Sequence, residues 1–229
     1  MMSPDLLLRL MWLSSPALPM GGFSYSEGLE SAVEAGLVHD EASTANWFED
    51  QLFLGLARCE LPVLAAAVLA WSAEVVNEAA IRALNDWHLH TRESAELSLQ
   101  AQQMGRSMLA WLQACDDPDP RVAQLAALPP APSWPLAYAL ALARMGAGPR
   151  EGSLAYAFGW AENAMQSAVK AVPLGQRAGQ RVLGHLVKLL PAAVDEALAL
   201  SPSERQCYTP GLALLSSAHE TQYSRLFRS

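Results

Sequence analysis

The sequence predicts an all-α protein, a single-domain bundle of about ten helices. Three observations carry this expectation. Alanine and leucine dominate a chain of 229 residues that is 52% hydrophobic and only 17% charged. Both residues lose little free energy on entering a helix. No stretch shows the sustained Val/Ile/Thr/Tyr alternation of a half-buried strand. The linkers are too short to separate domains, and no fixed-period repeat points to a solenoid. The expected domain therefore runs over residues 1–229, with 216–229 as a C-terminal tail.

Residues 6–13 read as a short apolar helix that stops at Ser14-Ser15-Pro16, with Pro19 keeping the chain extended. Residues 24–36 read as the second helix. Ser24-x-x-Glu27 fits a capping box, Ser24 accepting from the Glu27 N–H and Glu27 reaching back. A third helix spans 41–58, with Trp47, Phe48, Leu52 and Leu56 as its apolar stripe. Residues 61–71 are apolar on every side and so predict a buried segment. One or two long helices follow over 75–114. DDPDP at 116–120 is a turn, and LPPAPSWP at 128–135 is irregular. Helices resume over 136–145 and 151–172. Pro173 restarts the chain into a helix reaching 190, which Pro191 kinks or splits before it carries on to 200.

Composition excludes several classes. The net charge of −8 and a pI of about 5.1 offer no basic stripe for nucleic acid. Arg177, Arg181, His185 and Lys188 read as an ordinary solvated face. Three cysteines without a CxxC argue against a disulfide scaffold or a structural zinc site, and for a reducing, cytoplasmic compartment. Asp5 and Arg9 spoil a signal peptide, and the run 61–71 is too short to span a bilayer.

Enzyme motifs fail one by one. Gly22-Phe23-Ser24-Tyr25-Ser26 lacks the last glycine of a nucleophile elbow, and no strand precedes it. No GK[ST] follows Gly21-Gly22, and neither GxGxxG nor HExxH occurs. His88 and His90 point in different directions on a helix. Glu93 and Glu96 beside Arg92 read as a salt-bridged surface.

Three stretches remain unexplained by composition. The glycine turn Gly21-Gly22 carries Phe23 and Tyr25 beside the cap, as core plugs or as partner anchors. Glu162, Gln166 and Lys170 form one polar line at i, i+4, i+8, with Lys170 in the last helical turn, where the dipole favours a cation. Gly175-x-x-x-Gly179 on the next helix allows close helix contact. The terminus HETQYSRLFRS would ordinarily fray. Yet Tyr223, Leu226 and Phe227, interleaved with Arg225 and Arg228, give an apolar patch with basic flanks if the tail becomes helical. Such tails order on partners.

LSSPALPMGGFSYSEGLESAVEAGLV, TRESAEL at 91–97, ENAMQSAVKAVPLGQRAGQRVL and HETQYSRLFRS together resemble the UreF family of urease accessory proteins. The likeness covers nearly the whole chain in the family's order. Phe23 stands where an aromatic, often tyrosine, is usual, and Met165 and Gln166 occupy variable positions. The resemblance implies an all-helical, homodimeric, cytoplasmic scaffold without catalytic residues, metal ligands or a tightly bound cofactor. The implied partners are UreD (also called UreH), the GTPase UreG and apo-urease, with no nucleic acid or membrane. Nickel would be handled by the assembled complex, with this chain as a checkpoint on its GTP-dependent insertion. The resemblance assigns Gly21, Gly22, Phe23, Ser24, Tyr25, Ser26, Glu30, Glu162 and Lys170 to a surface for the GTPase or the dimer. It assigns His219, Glu220, Tyr223, Arg225, Leu226, Phe227 and Arg228 to a UreD-binding tail. A helical metal-dependent hydrolase would need converging ligands that the spacing does not offer. A generic helical interaction module explains the composition but not the motif segments.

Overall fold

Two apolar helices form the centre of the molecule. Leu61–Ser72 (α4) buries Leu61, Val63, Leu64, Val68 and Trp71. Trp134–Arg144 (α8) buries Leu136, Tyr138, Leu140 and Leu142 against it. Each such side chain contributes about 1.5–3 kcal/mol on leaving water. The Trp71 indole N–H donates to the Leu136 carbonyl at 3.2 Å and so fixes how the two helices meet. The computed structural model describes residues 2–228; residues 1 and 229, at the ends of the expected domain, lie outside them.

The remaining helices wrap this pair. In chain order they are α1 (Pro4–Leu13), α2 (Leu29–Glu34), α3 (Glu41–Asp50), α5 (Glu78–His90), α6 (Ala95–Gln113), α7 (Pro120–Ala126), α9 (Pro149–Ala171), α10 (Gln176–Ala199) and α11 (Pro210–His219). Strands are absent among the described residues. Polar caps start the helices where the chain supplies them. Ser3, Asp40, Asn77, Ser94 and Asp119 each accept a backbone N–H of the following helix.

Several boundaries differ from those read in the sequence. The helix expected over 41–58 does not stop. A π-helical stretch, Gln51–Glu60, joins α3 to α4 in one unbroken helix of 32 residues. The eleven α-helical segments therefore make ten rods among the described residues. By length and composition the joined helix could cross a bilayer, but 61% of its apolar window is buried inside the fold. Pro191 does not split α10, which continues to Ala199. Gly179 lets α10 lie close on α9, since a Cβ there would come within 2.6 Å of Val169.

The capping box at Ser24 does not form. Ser24 ends a 3-10 turn, Gly22–Ser24, and only Leu29–Glu34 of the expected 24–36 helix is helical. Glu27 (φ 52°) and Gly28 (φ 79°) are both left-handed, which breaks a helix at that point. The Glu27 side chain is instead drawn into the bundle. A satellite cluster of Leu29, Val38, Phe48, Ala161, Val182 and Leu186 packs α2 against α9 and α3 against α10.

Candidate functional site

The three unexplained stretches meet at one place on the surface. Gly21, at φ 81°, turns the chain into the 3-10 turn. Gly22 lies so close to α9 that a Cβ would stand 2.6 Å from the Asn163 amide nitrogen. The turn is thereby clamped, and its two aromatics part. Phe23 points outward and is 57% exposed, whereas Tyr25 is 7% exposed and donates its hydroxyl to Gln103. One aromatic is a surface group and the other a core plug. Burial pushes the Tyr25 phenol up, partly offset by the neighbouring Arg228.

Lys170, exposed in the last turn of α9, joins the turn to the tail. Its ammonium stands 5.9 Å from the Phe23 ring centre and 5.8 Å from that of Phe227. Two rings on one cation make a cation–π clasp. The Arg228 N–H donates to the Ser24 carbonyl at 2.8 Å beside it.

Residues 216–219 of the expected tail form the last turn of α11; beyond them the tail is neither frayed nor helical but docked on its own chain. Buried Glu30 accepts the N–H groups of Leu226 at 2.8 Å and Phe227 at 3.0 Å. His219, 0% exposed, places Nε2 3.2 Å from Glu30 and Nδ1 2.8 Å from Glu96. Arg225 donates to the other Glu96 oxygen at 2.8 Å. Glu220 accepts the Ala95 N–H at 2.9 Å and so helps cap α6. The docked form turns Phe227 inward and leaves Tyr223 and Leu226 exposed, so the single apolar patch expected of a helical tail does not form.

Of the residues assigned to partner surfaces, Tyr25, Ser26, Glu30, His219 and Phe227 are buried and do not present their side chains. They shape the surface from beneath. Glu162 is half-buried on the polar line, and burial raises its carboxyl. Glu93 and Glu96 do not form the expected surface network with Arg92. Glu93 accepts from Thr209, Glu96 turns to the tail, and Arg92 turns inward to Glu60 at 2.9 Å.

Beneath the turn lies an interior polar centre around a cavity of about 110 Å³. Glu27 accepts from the Gln100 amide at 2.7 Å and the Trp160 indole at 2.9 Å, and burial raises its carboxyl. Glu60 accepts the Tyr156 hydroxyl at 2.5 Å. Burial pushes the Tyr156 phenol well above its ordinary range, with Glu60 adding to it. His88 is fully buried 4.0 Å from Glu60, and desolvation holds its pKa well below the ordinary value. The π-helical stretch delivers Cys59 and Glu60 to this centre.

The centre also corrects the cysteine reading. Cys59 and Cys207 form a disulfide with Cα atoms 5.2 Å apart, and a separation of 148 residues hides the pairing from local spacing. Among the described residues no group of three or more His, Cys, Asp or Glu is arranged to hold a metal ion.

Comparison with known proteins finds relatives over nearly the whole chain. A family model described as UreF matches residues 38–187. A urease accessory protein UreF of Methylibium petroleiphilum is 64% identical over 97% of this chain and 94% of its own length. One from a Polaromonas species is 55% identical over 97% and 94%. A bifunctional urease accessory protein UreEF of Bordetella bronchiseptica is 47% identical over the whole of this chain, which spans 54% of that protein.

Proposed function

Because the chain belongs to the UreF family of urease accessory proteins, we propose that it acts in urease maturation as a cytoplasmic, homodimeric scaffold rather than an enzyme. It binds UreD and the GTPase UreG and governs GTP-dependent nickel insertion into apo-urease. Nickel is cargo of the assembled complex. One observation carries this reading furthest: the glycine turn, Lys170 and the tail share a single surface built around the Phe23–Lys170–Phe227 clasp. Exposed Phe23 beside exposed Lys170, with Tyr223 and Leu226 exposed on the same tail, suits a protein interface, where aromatics and cations supply most of the binding energy. The fused UreEF relative joins two accessory proteins in one chain by its name, which supports work within an assembly.

Co-expression with UreD and UreG from the same source tests the reading. Light scattering would give the mass of each complex. The full chain should form a stoichiometric complex. Removal of residues 223–229 should lose UreD while keeping a folded bundle, because buried His219 is retained. Lys170→Ala should weaken UreG capture and urease activation. A chain that purifies alone in every case contradicts the scaffold.

A further inference from the structure

The disulfide sits at the root of the C-terminal arm. Cys207 lies in the loop that leads from the 3-10 turn Pro202–Glu204 into α11. Gln206 there donates its N–H to the Arg58 carbonyl at 3.1 Å. Thr209 donates its N–H to Glu93 at 3.1 Å. Beyond the loop, α11 carries His219 to Glu30 and Glu96, and the tail then docks.

The sulfurs have a reactive setting. The Arg92 guanidinium faces both, 2.7 Å from the Cys207 sulfur and in contact with that of Cys59. A guanidinium beside sulfur favours the thiolate, the form that attacks disulfides. Access separates the two roles. Both border the cavity, but Cys59 is 1% exposed while Cys207 is half-buried. Cys115, the remaining cysteine, is free.

We propose that Cys59 and Cys207 are a reversible thiol–disulfide site, oxidised by a low-molecular-weight disulfide of the glutathione class, that tethers the C-terminal arm to the bundle. In the dithiol chain the Cys207 thiolate attacks the small disulfide. The small S–S bond breaks, one thiol leaves with a proton, and a mixed disulfide forms on Cys207. The Cys59 thiol then gives up its proton and attacks the Cys207 sulfur, expelling the second small thiol. The chain loses two electrons and two protons, and the small disulfide becomes two thiols. Closing the bond fixes the loop before α11, so opening of α11 must work against a covalent anchor. Reduction leaves the loop to its hydrogen bonds.

The full chain, equilibrated in buffers from reduced to oxidised glutathione, tests this. Acid quenching, alkylation and peptide mapping would read each thiol, and hydrogen exchange would be measured on the same samples. Cys59 and Cys207 should lose reactivity together at one midpoint, while Cys115 does not follow. Amides of α11 should exchange about tenfold more slowly in the oxidised chain. Cys207→Ser, at a half-buried loop position, should erase that difference and leave Cys59 reduced throughout. Independent titration of the two thiols, a Cys207 that stops at the mixed disulfide, or equal α11 exchange in both states would overturn the proposal.

Discussion

Glu27 and Glu30 lie three residues apart in the chain and hold different parts of the molecule. Glu27 turns inward, where the Gln100 amide and the Trp160 indole share its carboxylate. Glu30 turns to the arm, where two backbone N–H groups and His219 converge on it. The left-handed pair Glu27 and Gly28 lies between the two directions. The donors around Glu27 are side chains of α6 and α9 held in the bundle, Gln100 buried and Trp160 half-buried. Those around Glu30 include a tail that can lift away and hydrate. The same residue type should therefore be structural at one position and conditional at the other.

The widest break of the inner grip comes from α6. A Cβ on Gly105 would stand 2.0 Å from the Pro132 carbonyl, a backbone atom that cannot yield cheaply. Gly105→Ala should cost about 3 kcal/mol, read by urea unfolding, because it pushes away the helix that carries Gln100. Glu27→Ala should cost about 2–3 kcal/mol across the whole bundle, because the Trp160 indole and the Gln100 amide lose a shared charged acceptor. Glu30→Ala should cost less, about 1–2 kcal/mol, since the tail amides gain water in exchange.

Acidity sharpens the contrast further. The His88 pKa is held well below its ordinary 6.5, so folded His88 refuses a proton that the unfolded chain accepts. Its contribution is fully present above pH 6.5 and is lost as pH falls below it. The slope reaches about 1.4 kcal/mol per pH unit. Glu27 works in the opposite direction. Its raised carboxyl binds a proton more readily when folded, so its share of stability grows as pH falls towards 4.5. His88→Leu should flatten the acid-side loss of melting temperature, and Glu27→Gln should steepen it.

How much of this was legible beforehand differs between the two regions. Buried α4 was, because an uninterrupted apolar run marks a buried helix wherever it falls in a chain, whereas α8 was legible as a helix but not as the partner of α4. The glycine turn, Lys170 and the terminus stood out by a composition that departs from the rest, but their meeting through Phe23, Lys170 and Phe227 did not. The inner centre was not legible. Arg92 meets Glu60 across 32 positions and Cys207 across 115, and no local period encodes such pairings. The π-helical stretch also shifts Cys59 and Glu60 from the face a regular helix would assign them. Glu30 had one faint signal, a carboxylate among small and apolar neighbours in GLESAVEAG. The capping-box reading misjudged Glu27, since it took a local partner to be nearer than the distant Trp160.

The smallest effect belongs to the clasp. Lys170→Ala should cost less than about 1 kcal/mol, because a cation over two rings at an exposed site contributes little to folding. A larger loss would mean that the clasp, rather than Glu30, holds the tail.

Hydrogen exchange on the full chain carrying Glu30→Ala tests the division most directly. The Leu226 and Phe227 amides should lose their protection while α4, α8 and α9 keep theirs. Protection lost through those central helices, or a tail that exchanges as slowly as before, would contradict the separate roles of the two glutamates.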